Sequence, residues 1–243
     1  MLQRRISSLM LTLALGATAF TGRVAAQTSD RDKVCNQVET RGYTVGKWAT
    51  YRSTGGQTGG STLRMAVLSQ EPHDGTAYYW YEVSIDDPQH PKSRMIMQML
   101  IPGIGDRVGR VRAVVMKTGD QPAMKMPPQM IQMINSTPGL NISAEIAKGC
   151  QQMAAVGWEQ VSVPAGQFRA LHMRRGGGEG GGGGGGNAMV SEIWVQPDLQ
   201  FAMVKGILKD GGMMELTGQG TGAKSSITET PVAMPGLPGT PPR

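Results

Sequence analysis

Histidine, phenylalanine and cysteine are scarce in this chain: three His, three Phe and two Cys among 243 residues. Three histidines at 73, 90 and 172 are too scattered to suggest the clustered ligands of a zinc centre. His73 and His90 flank the run Thr76 to Ile85, which at ~3.3 Å per residue holds them on the order of 30 Å apart. His172 lies inside another strand-like run with no carboxylate at a telling spacing. No G-x-S-x-G and no H-E-x-x-H occurs, so no nucleophile elbow or metalloprotease helix is expected. Glu82, Glu192 and Glu215 are strand members that could still meet in space. The expectation is a chain with no catalytic residue, no metal and no cofactor. Charged residues are also sparse, at 17%, and only the first stretch is an extended apolar run. That excludes an acidic disordered chain and a multi-span membrane protein.

The apolar run is informative in its own right. Arg4 and Arg5 precede Leu9 to Phe20, and Val24-Ala25-Ala26 follows, the order of a secretory signal peptide cleaved after Ala26. About a dozen apolar residues fall short of the ~20 that span a bilayer, so the mature chain is expected not to be membrane-spanning. Arg4, Arg5 and Arg23 account for three of the six formal positive charges and no acid lies before Gln27, which leaves +3. A nucleic-acid partner is therefore not expected. The densest basic stretch, Arg107, Arg110, Arg112 and Lys117 between valines, reads as a strand with one wet face. Export, to the periplasm or beyond, exposes Cys35 and Cys150 to an oxidising compartment, where an even pair is expected to close.

Period-2 runs dominate what remains. Lys47 to Ser53, Thr62 to Gln70, Thr76 to Ile85, Arg94 to Ile101 and Val108 to Lys117 are bounded by Gly, Pro or Asp and predict a five-strand antiparallel meander. Five more follow: Trp158 to Val163, Gln167 to Arg174, Ala188 to Val195, Phe201 to Lys209 and Met213 to Thr217. Short helices are expected at Asp30 to Arg41, after Pro127-Pro128, and from Ser143 to Gly149. Ten glycines and one Glu at 176–186 predict a flexible hairpin tip, and Pro and Gly at 229–243 a disordered tail. Residues 27–228 are expected to form one domain.

Methionine is the residue in excess, with 18 in the chain. Met95, Met97 and Met99 alternate, so they share one face of a strand. Plain core filling explains such residues, and two functional readings compete with it. A flexible, polarizable thioether wall suits an apolar cavity for greasy ligands, whereas thioethers clustered at a surface suit Cu(I). Met65, Met95, Met97, Met99 and Met116 are the candidate ligand-binding residues, because alternation could place them on one wall.

Taken in order, Val45-Gly46-Lys47-Trp48-Ala49-Thr50-Tyr51-Arg52, Gln121-Pro122-Ala123-Met124-Lys125-Met126-Pro127 and Val163-Pro164-Ala165-Gly166-Gln167-Phe168-Arg169-Ala170 resemble a group of uncharacterised exported bacterial proteins. The likeness runs through Trp194-Val195 and Met214-Glu215-Leu216 to Ile227. These resemble in turn the half-barrel family of periplasmic lipoprotein carriers and receptors. The chain departs from the group at Leu199-Gln200, where Val-Pro is usual, and in its glycine tract. The resemblance implies a mainly β fold, a curved antiparallel sheet of about ten strands with short helices on the concave side. It also implies a non-enzymatic carrier for an apolar lipid-like ligand or a lipidated partner. An envelope structural protein with a filled hollow is the alternative, and copper handling a third.

Overall fold

The computed structural model describes residues 30–103, 110–136, 150, 152–175 and 190–234. The signal segment, the glycine tract and the helix expected from Ser143 to Gly149 lie outside those residues. Among the described residues there are twelve strands: β1 (Trp48–Thr54), β2 (Thr62–His73), β3 (Thr76–Asp86), β4 (Met95–Pro102), β5 (Ala113–Thr118), β6 (Met124–Lys125), β7 (Met153–Val163), β8 (Gly166–Arg175), β9 (Val190–Val195), β10 (Met203–Leu208), β11 (Met213–Gly220) and β12 (Val232–Ala233). Helix α1 covers 30–40 and α2 Pro128–Ser136.

The strands form one sheet in the order β12-β6-β5-β4-β3-β2-β1-β11-β10-β9-β8-β7. Two antiparallel meanders, β1 to β6 and β7 to β11, are thus joined side by side where β1 pairs with β11. Only β12 runs parallel to its neighbour, β6. The sheet curves and does not close. At its β7 end the curl is strong enough that β7 touches β10 and β11, although β8 and β9 separate them in the sheet. There the Ala165 N–H, in the turn after β7, donates to the Leu216 carbonyl at 3.1 Å. The mainly β, antiparallel arrangement is the one the strand spacing predicts, and the curvature is what the resemblance implies.

Register explains how the two faces differ. Directly opposed residues point the same way, and Met65, Val83, Met97, Met116 and Met124 stand opposite one another in turn across β2 to β6. That row belongs to the concave face. Both helices pack on this face. Ile131 of α2 is buried with Met99, Ile101 and Val114, while Val34 of α1 is buried with Met153, Leu171, Met173, Val195 and Ala202. Cys35 in α1 is bonded to Cys150, with Cα atoms 5.8 Å apart, which fastens α1 to the start of β7.

Strand ends shift by up to three residues at β2, β10 and β11, and three departures from expectation are larger. β5 starts at Ala113, although the Arg112 N–H still donates to the Leu100 carbonyl of β4 at 2.9 Å; residues 104–109 lie outside the described set. β7 starts at Met153 and not Trp158. Its first half is hidden in the sequence by Gly157, whose φ of 153° sits at an irregularity between Ala155 and Gly157 in the pairing with β8. Third, the tail expected to be disordered from residue 229 is ordered at its beginning. The Glu229 carboxylate meets the Lys117 ammonium, and Val232–Ala233 pairs with Met124–Lys125. Residues 235–243 lie outside the described set.

The cause is a strap. Beyond β11 the chain crosses the convex face from β1 to β6, burying Ile227 against Ile96, Val115, Ala123 and Trp80.

Candidate functional site

The concave wall is built from the residue up by strand alternation and then by register. Met97 and Met99 on β4 and Met116 on β5 gather with Met126, Tyr43, Tyr81, Val83 and the α2 residues Ile131 and Ile134. Met65 on β2 belongs to the adjoining cluster of Ala49, Tyr51, Leu63, Leu216, Phe201, Met203 and Met214. Tyr81 joins the two clusters, since its hydroxyl donates to the Met65 Sδ at 3.0 Å. Met95 stands one step along, opposite Ile85 and Thr118, and enters no apolar cluster among the described residues. Of the five candidate methionines, three share one cluster, one touches it through Tyr81, and Met95 does not join.

Tyrosine is the feature the sequence reading passed over. Tyr43 lies 5.4 Å from Tyr79 and 5.7 Å from Tyr81, and Phe201 lies 6.0 Å from Tyr81 on the other side. Burial raises the phenol pKa of Tyr43, Tyr51 and Tyr81 well above the ordinary range. These hydroxyls are therefore neutral donors at any physiological pH. The alternation Tyr79, Tyr81, Val83 in β3 carried the signal, because it puts both rings on the Met97 face. The wall is amphipathic only at these hydroxyls and otherwise aliphatic, aromatic or thioether. Such a surface can exclude water and adapt in shape, but it offers no nucleophile.

α2 covers part of the wall. Asn135 holds it in place like an extra strand residue: its Nδ2 donates to the Val111 carbonyl at 2.8 Å and its Oδ1 accepts from the Val111 N–H at 3.0 Å.

The convex face carries two polar networks beside the apolar contact made by the strap. Glu82, completely buried, accepts four hydrogen bonds of 2.8 Å, from Arg64, Gln98, the Ser226 hydroxyl and the Ser226 N–H. At the other end of the sheet His172 is stacked on Trp194 at 4.1 Å, with Nδ1 3.0 Å from Glu159 and Nε2 2.8 Å from Glu192. Trp194 Nε1–H donates to Glu159, Arg174 pairs with Glu192, and Lys205 lies over the Trp194 ring and 3.6 Å from Glu215. Hydrogen bonding lowers both carboxyls: Glu192 chiefly through His172, Glu159 chiefly through Trp194.

The carboxylates that might have met do not act as a pair. Glu82 goes to Arg64, Glu192 to His172 and Arg174, and Glu215 to Lys205. His73 ends β2 and pairs with Thr76 at the start of β3, whereas His90 sits in the connection after β3; each binds its own neighbour, Glu71 and Asp87. Among the described residues no group of three or more His, Cys, Asp or Glu is placed to hold a metal ion. Nor is any helix long and apolar enough to cross a membrane.

No family model and no curated protein matches the chain. Three solved structures align with it at low identity. A protein described as exported, with a YmcC-like fold, from Bacteroides fragilis is 11% identical over 74% of this chain and 97% of its own, with a TM-score of 0.35. MucB is 14% identical over 82% of this chain and 61% of its own, with a TM-score of 0.39. A protein described as a lipoprotein, from Parabacteroides distasonis, is 9% identical over 73% of this chain and 96% of its own, with a TM-score of 0.32.

Proposed function

We propose that this is an exported, non-enzymatic binding protein for an apolar, lipid-like ligand or a lipidated partner. The acyl portion would lie against the concave wall formed by Met97, Met99 and Met116, with Met65 beyond Tyr81 and Met95 at the margin. The observation that carries the reading is the lateral row Met65, Val83, Met97, Met116 and Met124, which spreads adaptable side chains across five strands of one face. Removing about 200 Å² of acyl surface from water there would contribute on the order of 5 kcal/mol before the costs of ordering. The working chain is residues 27 onward, delivered through a signal peptide cleaved after Ala26, with a single domain that runs past residue 228 to take in β12.

One observation favours the rival reading of an envelope structural protein with a filled hollow. Met99, Ile101, Val114 and Ile131 are already buried together beneath α2. Two measurements separate the readings. Protein purified without detergent is extracted with organic solvent for mass spectrometry, and titrated with a fluorescent acyl probe. The binding reading requires a co-purified lipid or saturable probe binding that weakens when Met97 and Met116 become Ala. Absence of both would leave the structural reading.

A further inference from the structure

Beside the methionine wall, α2, β6 and the chain entering β5 border an open cleft of about 480 Å³. Its lining divides by chemistry. Arg110, Arg112 and Lys125 supply three cations, Met126 and Ile131 supply an apolar side, and among the described residues no acidic side chain lines it. Met126 and Ile131 are also members of the cluster around Met97, Met99 and Met116. Cleft and wall are thus continuous through two shared side chains.

The cations are differently held. The Arg112 guanidinium is fixed between the Asp74 carboxylate and the Tyr78 ring, 5.1 Å from its centroid. Arg110 and Lys125 are exposed side chains on the chain entering β5 and on β6. A concave site lined by charge of one sign, with low-dielectric walls, concentrates the opposite charge. Guanidinium groups match the paired oxygens of carboxylate and phosphate. The volume falls within the ~300–1,000 Å³ usual for small-molecule sites.

We infer that this cleft receives the anionic headgroup, carboxylate or phosphate, of a single-chain amphiphile whose acyl chain meets the methionine wall. The inference rests on the binding function proposed above and names its ligand class.

The test uses the purified protein and three probes below their micelle concentrations: dodecyl phosphate, dodecyl maltoside and inorganic phosphate. By calorimetry, dodecyl phosphate should bind about tenfold or more tightly than the maltoside, and inorganic phosphate far more weakly than either; the preference should shrink with added NaCl, as screening demands. The double variant Arg110→Gln, Lys125→Gln should lose most of the preference while keeping its affinity for dodecyl maltoside. If both detergents bind equally well, or the preference does not respond to salt, the headgroup assignment fails while the apolar reading stands. If inorganic phosphate binds as tightly as dodecyl phosphate, the cleft is an anion site unrelated to the wall and the inference fails. If neither detergent binds, the proposed function falls with it.

Discussion

His172 is the one buried histidine among the described residues, and each ring nitrogen faces a carboxylate oxygen. The arrangement sets two carboxylates about one imidazole within the convex face. Its pH dependence follows from the carboxyls. Glu192 and Glu159 are held below their ordinary values in the folded protein. Their contribution is therefore complete above the unfolded carboxyl value of ~4.3 and is lost as pH falls through the lower folded value. Melting curves between pH 6 and pH 3 should show a fall in Tm at the acid end that is smaller in Glu192→Gln. A variant with the wild-type slope would remove this pair from the acid response. Glu82 makes a sharper case. Glu82→Ala strips Arg64, Gln98 and Ser226 of their shared acceptor and should cost about 3–5 kcal/mol in urea unfolding, with Glu82→Gln costing less. Neither network was legible in the sequence. Glu82 and Ser226 are separated by 144 positions, and only the strap brings them together.

Ten strands were readable because each is long enough to alternate and is closed by Gly, Pro or Asp. β6 and β12 were not, since two residues carry no period and their pairing joins distant parts of the chain. The same limit governs the wall. Alternation puts Met95, Met97 and Met99 on one face of β4, but only register shows Met65, Met97 and Met116 in line and Met95 apart. α2 was foreseeable from Pro127-Pro128, yet its anchor was not, because Asn135 bonds a backbone 24 positions earlier. Asn135→Ala should cost about 1–3 kcal/mol by leaving the Val111 groups without partners, read as a lower midpoint in urea. An acyl probe should then reach the wall more readily. In the strap, Ile227→Ala should cost about 2 kcal/mol or more by opening the contact with Ile96, Val115 and Ala123.

Across the whole molecule, the Cys35–Cys150 bond and the pairing of β1 with β11 tie the two meanders together beside the apolar cluster that Tyr51 and Met65 share with Leu216 and Phe201. Cys35 and Cys150 are 115 positions apart, and replacing both with Ser should lower stability by about 2–5 kcal/mol, measured against the oxidised wild type. This bond was readable from an even cysteine count in a chain whose first residues read as an export signal. The pairing of β1 with β11 was not, because consecutive hairpins explain every other neighbour in the antiparallel part of the sheet. The strap adds a condition of timing. β6 has β5 on one flank as soon as residue 125 is available, but its other flank stays open until residue 232 arrives. A polypeptide emerging N-terminus first would therefore present an unpaired edge, and an apolar patch around Ile96 and Ala123, throughout the arrival of the second meander. Protection of that edge from proteases and from neighbouring chains is the last event in assembly, so even a short C-terminal loss leaves the earliest-made meander unfinished.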